Sequence, residues 1–156
     1  MTKVNFMKKI AIASDHGGFD LKIDIVTLLK KMGYEVDDMG PKTSDSVDYP
    51  DYGISLAQAI VEEKAPRGVV ICGTGIGMSI VVNRFRGIRG TLCSDLYTAK
   101  LCREHNDSNV LIMGGRVVGH DLAKEIVRTW LNTPFKGGRH QKRIDKIIEF
   151  DKSLKS

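Results

Sequence analysis

Cys72 stands where an apolar run, residues 68–72, stops and a glycine-alternating stretch, Gly73-Thr74-Gly75-Ile76-Gly77, begins. A thiol beside such a loop has the parts needed for proton abstraction. Alternate glycines let backbone N–H groups converge on a bound oxygen where side chains would block it. The helix expected next, over residues 78–85, adds the positive end of its dipole at the same spot, which favours an anion in the loop and a thiolate at its edge. A plainer reading competes, because an apolar run ending in Cys is commonly a buried core thiol. The loop is not a dinucleotide fingerprint, since Met78 falls where the third glycine or alanine belongs and the strand is third in order. No Gly-Lys-Ser/Thr follows, so it is not a P-loop either.

Five other places carry residues of chemical interest. Asp15 and His16 precede Gly17-Gly18 at a strand-to-helix turn, where Asp15 reads either as a helix N-cap or as a ligand contact. His16 there can donate to a phosphate. His105-Asn106 falls at a helix end, with a left-handed Asn106 cap as the alternative to a functional pair. Arg116 follows Gly114-Gly115, and Tyr49 sits in a long polar loop. Arg139 and Arg143 share a face if that segment is helical, and Gly137-Gly138 lets a helix start close against something. The competing reading of this last group is a solvated basic tail.

These residues need a scaffold, and composition bounds it. The chain has 156 residues, 42% of them hydrophobic, enough for one compact domain with a real core. Met7 offers an alternative start, which would make residues 1–6 an extension, and residues 136–156 read as a C-terminal helical segment. A net charge of +5 points to anionic partners. Nucleic acid is disfavoured by five Phe, one Trp and no recognised reader motif. Three cysteines without C-x-x-C spacing argue against a disulfide framework and a zinc site, and fit a reducing cytoplasm. Cys93 and Cys102 read as packing. No apolar stretch is long enough to span a membrane.

Periodicity places strands at residues 9–14, 34–39, 68–72, 87–93 and 109–113. Between them come a helix carrying Leu21, Ile25, Leu28 and Met32, stopped by Gly33; a loop over residues 40–51; and helices at 52–63 and 78–85. Ser94-Asp95 caps a helix reaching about His105, another opens at His120 or Asp121 and stops near Pro134, and the last carries Ile144, Ile147 and Ile148. Strands alternating with helices imply an α/β fold with a parallel sheet covered on both faces. Ligand sites in such sheets lie at the carboxyl ends of strands. That rule gathers Asp15, His16, Tyr49, residues 72–77, Ser94, Asp95 and Arg116, and leaves His105 and Asn106 at the far end of a helix, where they reach the site most simply across a subunit interface.

Taken together and in order, Asp15-His16-Gly17-Gly18, Asp48-Tyr49-Pro50-Asp51, the run from Ile71 to Gly77, His105-Asn106-Asp107, Gly115-Arg116-Val117 and the run from Gly138 to Arg143 resemble the type B ribose-5-phosphate isomerases. That family also holds allose-6-phosphate and galactose-6-phosphate isomerases. The resemblance runs from about Met7 to about Ile148. It implies a Rossmann-like three-layer α/β/α sandwich with a five-stranded parallel sheet, and a homodimer or dimer of dimers with sites shared between subunits. It also implies an aldose–ketose isomerisation in the non-oxidative pentose phosphate pathway, without metal or cofactor.

Carried over by position, the resemblance makes Cys72 the proton-abstracting base, groups Thr74 with it, and makes His105 the ring-opening residue, with Asn106 on the sugar. It puts substrate contacts on Asp15, His16, Tyr49, Gly73, Thr74, Gly75, Ile76 and Gly77, and the phosphate on Arg116, Arg139 and Arg143. One branch places a glutamate base where this chain has Met78, which leaves Cys72 alone in that role. Val81-Val82-Asn83-Arg84 departs from the family's usual Ala-Ala-Asn-Lys. The match of Asp15-His16 and Gly138-Arg139 favours ribose 5-phosphate over the hexose phosphates; a nucleotide-binding module is the alternative from another class.

Overall fold

Three of the five strands are apolar at nearly every position, the pattern of strands buried on both faces. These are β1 (Lys9–Ser14), β3 (Arg67–Cys72) and β5 (Val110–Gly114). The structure is a computed structural model that describes residues 6–154. Of the expected extension, residues 1–5 lie outside the described residues, as do residues 155 and 156 of the C-terminal segment.

The sheet order is β2-β1-β3-β5-β4, all parallel, with β2 (Glu35–Asp38) and β4 (Gly90–Leu92) at the edges. The polar sequence of β2, Glu-Val-Asp-Asp, suits an edge and would not suit the middle. From β1 the chain moves outward to β2 and then crosses back to β3, so a switch point opens at the carboxyl ends of β1 and β3. Cys72 ends β3 in register with Gly114 of β5, and Ser14 ends β1 in register with Ile71.

Side-chain alternation sorts the core into two layers. Ile10, Ile12, Val69, Ile71, Leu111 and Met113 face α1 (Phe19–Lys31), α4 (Leu96–Asn106) and α5 (His120–Asn132). Ala11, Ala13, Val70, Cys72, Val110 and Ile112 face α2 (Tyr49–Val61) and α3 (Ile76–Val82). The result is the three-layer α/β/α sandwich expected from the alternating pattern. A sixth helix, α6 (Arg139–Ser153), packs by Ile144 and His140 near the end of α4. No helix of the described residues is long and apolar enough to cross a membrane.

Several boundaries differ from expectation. The loop expected at residues 40–51 ends at Asp48, because Pro50 lies in the first turn of α2, where a missing N–H costs nothing. Helix α3 begins at Ile76 and stops at Val82, earlier at both ends than 78–85. Strand β4 keeps only residues 90–92 of the expected 87–93, since only these pair with β5. In α5, Leu122 is 42% exposed, while Ala123 and Val127 are buried.

Candidate active site

The loops that follow β1, β3 and β5 meet backbone against backbone. A Cβ added to Gly114 would lie 2.6 Å from the Thr74 carbonyl oxygen, and one on Gly115 would lie 2.6 Å from that of Gly17. No side chain fits between these turns, so glycine lets them close into one floor. Asp15 N–H donates to Ile71 O (3.1 Å), Gly115 N–H to Cys72 O (2.8 Å) and Arg116 N–H to Gly73 O (3.0 Å), tying the three loops together. We expect Gly114→Ala to lower stability by about 1–3 kcal/mol in urea unfolding and to reduce turnover by displacing the loop. Gly119→Ala is the control, because a Cβ there meets nothing within 4 Å.

Cys72 combines both readings its sequence allowed. It is 4% exposed and packs with Met78 and Val82, yet its Sγ accepts the N–H of Gly75 at 3.1 Å and so faces the glycine turn. Gly75 adopts φ +80°, a left-handed conformation that favours glycine, and it is the residue from which α3 starts. The loop donors are therefore divided. Gly75 serves the sulfur, Ile76 N–H leans on Thr74 Oγ1 (3.3 Å), and the N–H groups of Gly73 and Thr74 have no acceptor among the described residues.

Around this floor stand the other residues of the carboxyl edge. Asp15 is buried and acts as an N-cap, its carboxylate accepting Gly18 N–H at 3.0 Å. His16 Nδ1 lies 3.3 Å from the backbone of Val47, which draws the polar loop toward the site. Tyr49 is the first residue of α2, and its ring covers Gly77, where an added Cβ would lie 2.7 Å from it. Arg116 is exposed, with its guanidinium beside Gly73.

His105, Asn106, Arg139 and Arg143 are gathered elsewhere. Helix α4 leaves the carboxyl end of β4 and runs back along the sheet for about 16 Å. Its end lies at the amino edge, where Asn109 bonds to Arg89 before β4 and to Gly68 at the start of β3. Asn106 is not left-handed. The helix runs through it, and Asp107 takes that conformation at φ +46°, held by Arg89 (3.0 Å) and Arg103 (2.8 Å). Arg139 and Arg143 are helical and exposed, on the turns that flank His140. The candidate residues thus fall into two groups at opposite edges of the sheet. Cys72 lines none of the cavities of about 380, 390 and 760 Å³ that open elsewhere among the described residues.

His140 is the residue that sequence reasoning missed. Its ring stacks on His105 with centroids 4.2 Å apart and 9° between planes. The only advance signal was its place between two arginines. Burial, then the positive charge of His105, Arg139, Arg143 and Lys136, pushes its imidazole below the ordinary value of 6.5. Glu104 beside it is held below the usual carboxylate range by Lys136, whose ammonium lies at 2.7 Å.

A sign follows from the depressed imidazole. Below about pH 6.5 the unfolded chain takes up a proton that the folded chain resists, so stability present above that pH is lost as pH falls through the folded value. We expect His140→Phe, which keeps an aromatic stack, to flatten this part of the pH dependence. Urea midpoints measured between about pH 5 and pH 7.5 check it. Cys93 and Cys102 are buried with their sulfurs 4.0 Å apart and pack as expected.

Residues 10–147 match the family model described as Ribose/Galactose Isomerase. The chain is 49% identical over 145 residues to ribose-5-phosphate isomerase B of Escherichia coli (strain K12), covering 93% of this chain and 97% of that one. The structure of Clostridium thermocellum ribose-5-phosphate isomerase B matches with a TM-score of 0.91 at 53% identity, over 93% of this chain and 98% of that one. The structure of ribose-5-phosphate isomerase B from Mycoplasma genitalium with bound ribulose 5-phosphate matches with a TM-score of 0.90 at 39% identity, over 94% and 97%.

Proposed function

This chain belongs to the ribose/galactose isomerase family, and from that premise we propose that it interconverts D-ribose 5-phosphate and D-ribulose 5-phosphate through an enediolate. The observation that carries the reading is the Cys72 sulfur, which ends the central strand under an N–H of the glycine loop. As thiolate it takes the proton from C2 of the open aldose. The C–H electrons form the C1–C2 double bond, and the carbonyl oxygen becomes the enediolate oxygen. Cys72 then returns the proton to C1, while a proton passes from O2 to O1.

The unengaged N–H groups of Gly73 and Thr74 suit the developing oxyanion, where a single donor is worth roughly 3–4 kcal/mol. Thr74 Oγ1 accepts from Ile76 N–H, so its own proton is left to serve the oxygens that exchange one. Asp15, His16 and Tyr49 contact the sugar at this edge, and Arg116 approaches the phosphate.

The second half-site completes the reaction from another subunit. His105 moves the proton between ring oxygen and anomeric hydroxyl that opens the furanose, Asn106 holds the sugar, and Arg139 and Arg143 bind the phosphate through their planar forks. Because the two half-sites lie at opposite edges of one chain, the working unit is a homodimer or a dimer of dimers. Exposed apolar residues support that pairing: Ile76, Ile80, Leu92, Leu96 and Tyr97 lie near the Cys72 loop, and Ile147 and Phe150 lie on α6. The chain acts as one domain, in the cytoplasm and in the non-oxidative pentose phosphate pathway, with no metal required. An isomerisation assay decides the sugar. We expect kcat/KM for ribose 5-phosphate at least tenfold above that for allose 6-phosphate; the reverse order would make the chain a hexose-phosphate enzyme.

A further inference from the structure

At the amino edge of the sheet, away from Cys72, a cleft of about 380 Å³ is lined by Arg67, Arg89 and Arg103 together with Asp107, Asn109 and Thr133. Three guanidinium groups face one carboxylate there, and that carboxylate is fully used. Asp107 Oδ2 takes Arg89 Nη2 at 3.0 Å, and its Oδ1 takes Arg103 Nη1 at 2.8 Å. Arg67 has no carboxylate partner; its Nη1 donates to the carbonyl of Leu131 at 3.2 Å, and the Tyr34 hydroxyl lies beside its guanidinium.

The donors outnumber their acceptors. Arg89 Nη1 and Arg103 Nη2 have no hydrogen-bond partner among the described residues. The Nε atoms of Arg67 and Arg103 are buried without one. Both guanidinium groups lie over the buried Trp130 ring, 5.6 and 5.8 Å from its centroid, so the two cations are held close together on one aromatic body. Like charges packed this way, with part of their hydration removed, are costly unless an anion joins them. Burial pushes the Arg67 guanidinium below its ordinary value, offset in part by Tyr34 and Asp107.

We propose that this cleft is a second anion site that binds a small phosphate dianion, either inorganic phosphate or the phosphate end of a small phosphomonoester, between Arg67, Arg103 and Arg89. Two uncompensated positive charges match a dianion. Planar forks on converging side chains match its oxygens. The site stands apart from the isomerase half-sites and does not depend on their assignment.

The test first removes the two arginines of α6 that bind the substrate's phosphate, leaving Arg116 as a background against which the Arg67 substitution is read. In the Arg139→Ala/Arg143→Ala double variant, thermal unfolding is followed with inorganic phosphate against sodium chloride at equal ionic strength. Phosphate at about a hundred times its Kd is expected to raise Tm by roughly 5–10 °C. Adding Arg67→Met, which keeps the stem on Trp130, is expected to abolish the rise. Calorimetric titration of the folded double variant gives a second readout, one phosphate per chain. Glycerol 3-phosphate in a parallel arm separates the sources, a larger rise assigning the site to phosphomonoesters and an equal one to free phosphate. No rise beyond that of chloride, or an equal rise with Met at position 67, overturns the site. If the isomerase assignment failed instead, the parent chain would show no turnover of ribose 5-phosphate, and the phosphate titration would still be readable.

Discussion

Cys72→Ala is expected to bind ribose 5-phosphate as the parent does and to turn it over at least 10³-fold more slowly. The substitution removes one buried sulfur and leaves the strand, the glycine floor and the arginines in place. Binding energy from the phosphate is therefore kept, and the loss falls on kcat. Position 78, beneath the loop, offers no carboxylate to substitute, because it is Met78, fully buried against the sheet. Affinity is read from protection against thermal unfolding by the sugar phosphate, and turnover from a direct ketose assay. A variant that isomerises at the parent rate removes Cys72 from the chemistry.

The second large effect comes from mixing. Cys72→Ala and His105→Ala homo-oligomers are each expected to be inactive, and unfolding and refolding them together should restore about a quarter of parent activity. Half of the random dimers then pair one chain of each kind, and each such dimer contains one site with both residues intact. If Cys72 and His105 served the same chain's site, no mixture would recover activity. The expectation rests on geometry, since α4 carries His105 to the opposite edge of the sheet from Cys72.

Much of the fold could be read from the sequence because β1, β3 and β5 are apolar runs closed by glycine-rich turns, a pattern only the middle of a parallel sheet requires. The residues at their carboxyl ends followed from that. What escaped was set by neighbours. Pro50 looked like a breaker and is a first-turn residue. Asp107, not Asn106, takes the left-handed cap, because two arginines wait for its carboxylate. The His105–His140 stack joins residues far apart in sequence, and no local pattern announces it. The close backbone contacts of Gly114 and Gly115 likewise exist only once three loops converge.

The central claim is that the Cys72 sulfur carries the migrating proton, and exchange with solvent tests it most directly. Isomerisation in D₂O, followed by NMR, should place deuterium at C1 of ribulose 5-phosphate with the parent protein. With Cys72→Ala the substrate should stay bound, and its C2 hydrogen should show no exchange. Deuterium washed into that position by the alanine variant at the parent rate would contradict the account.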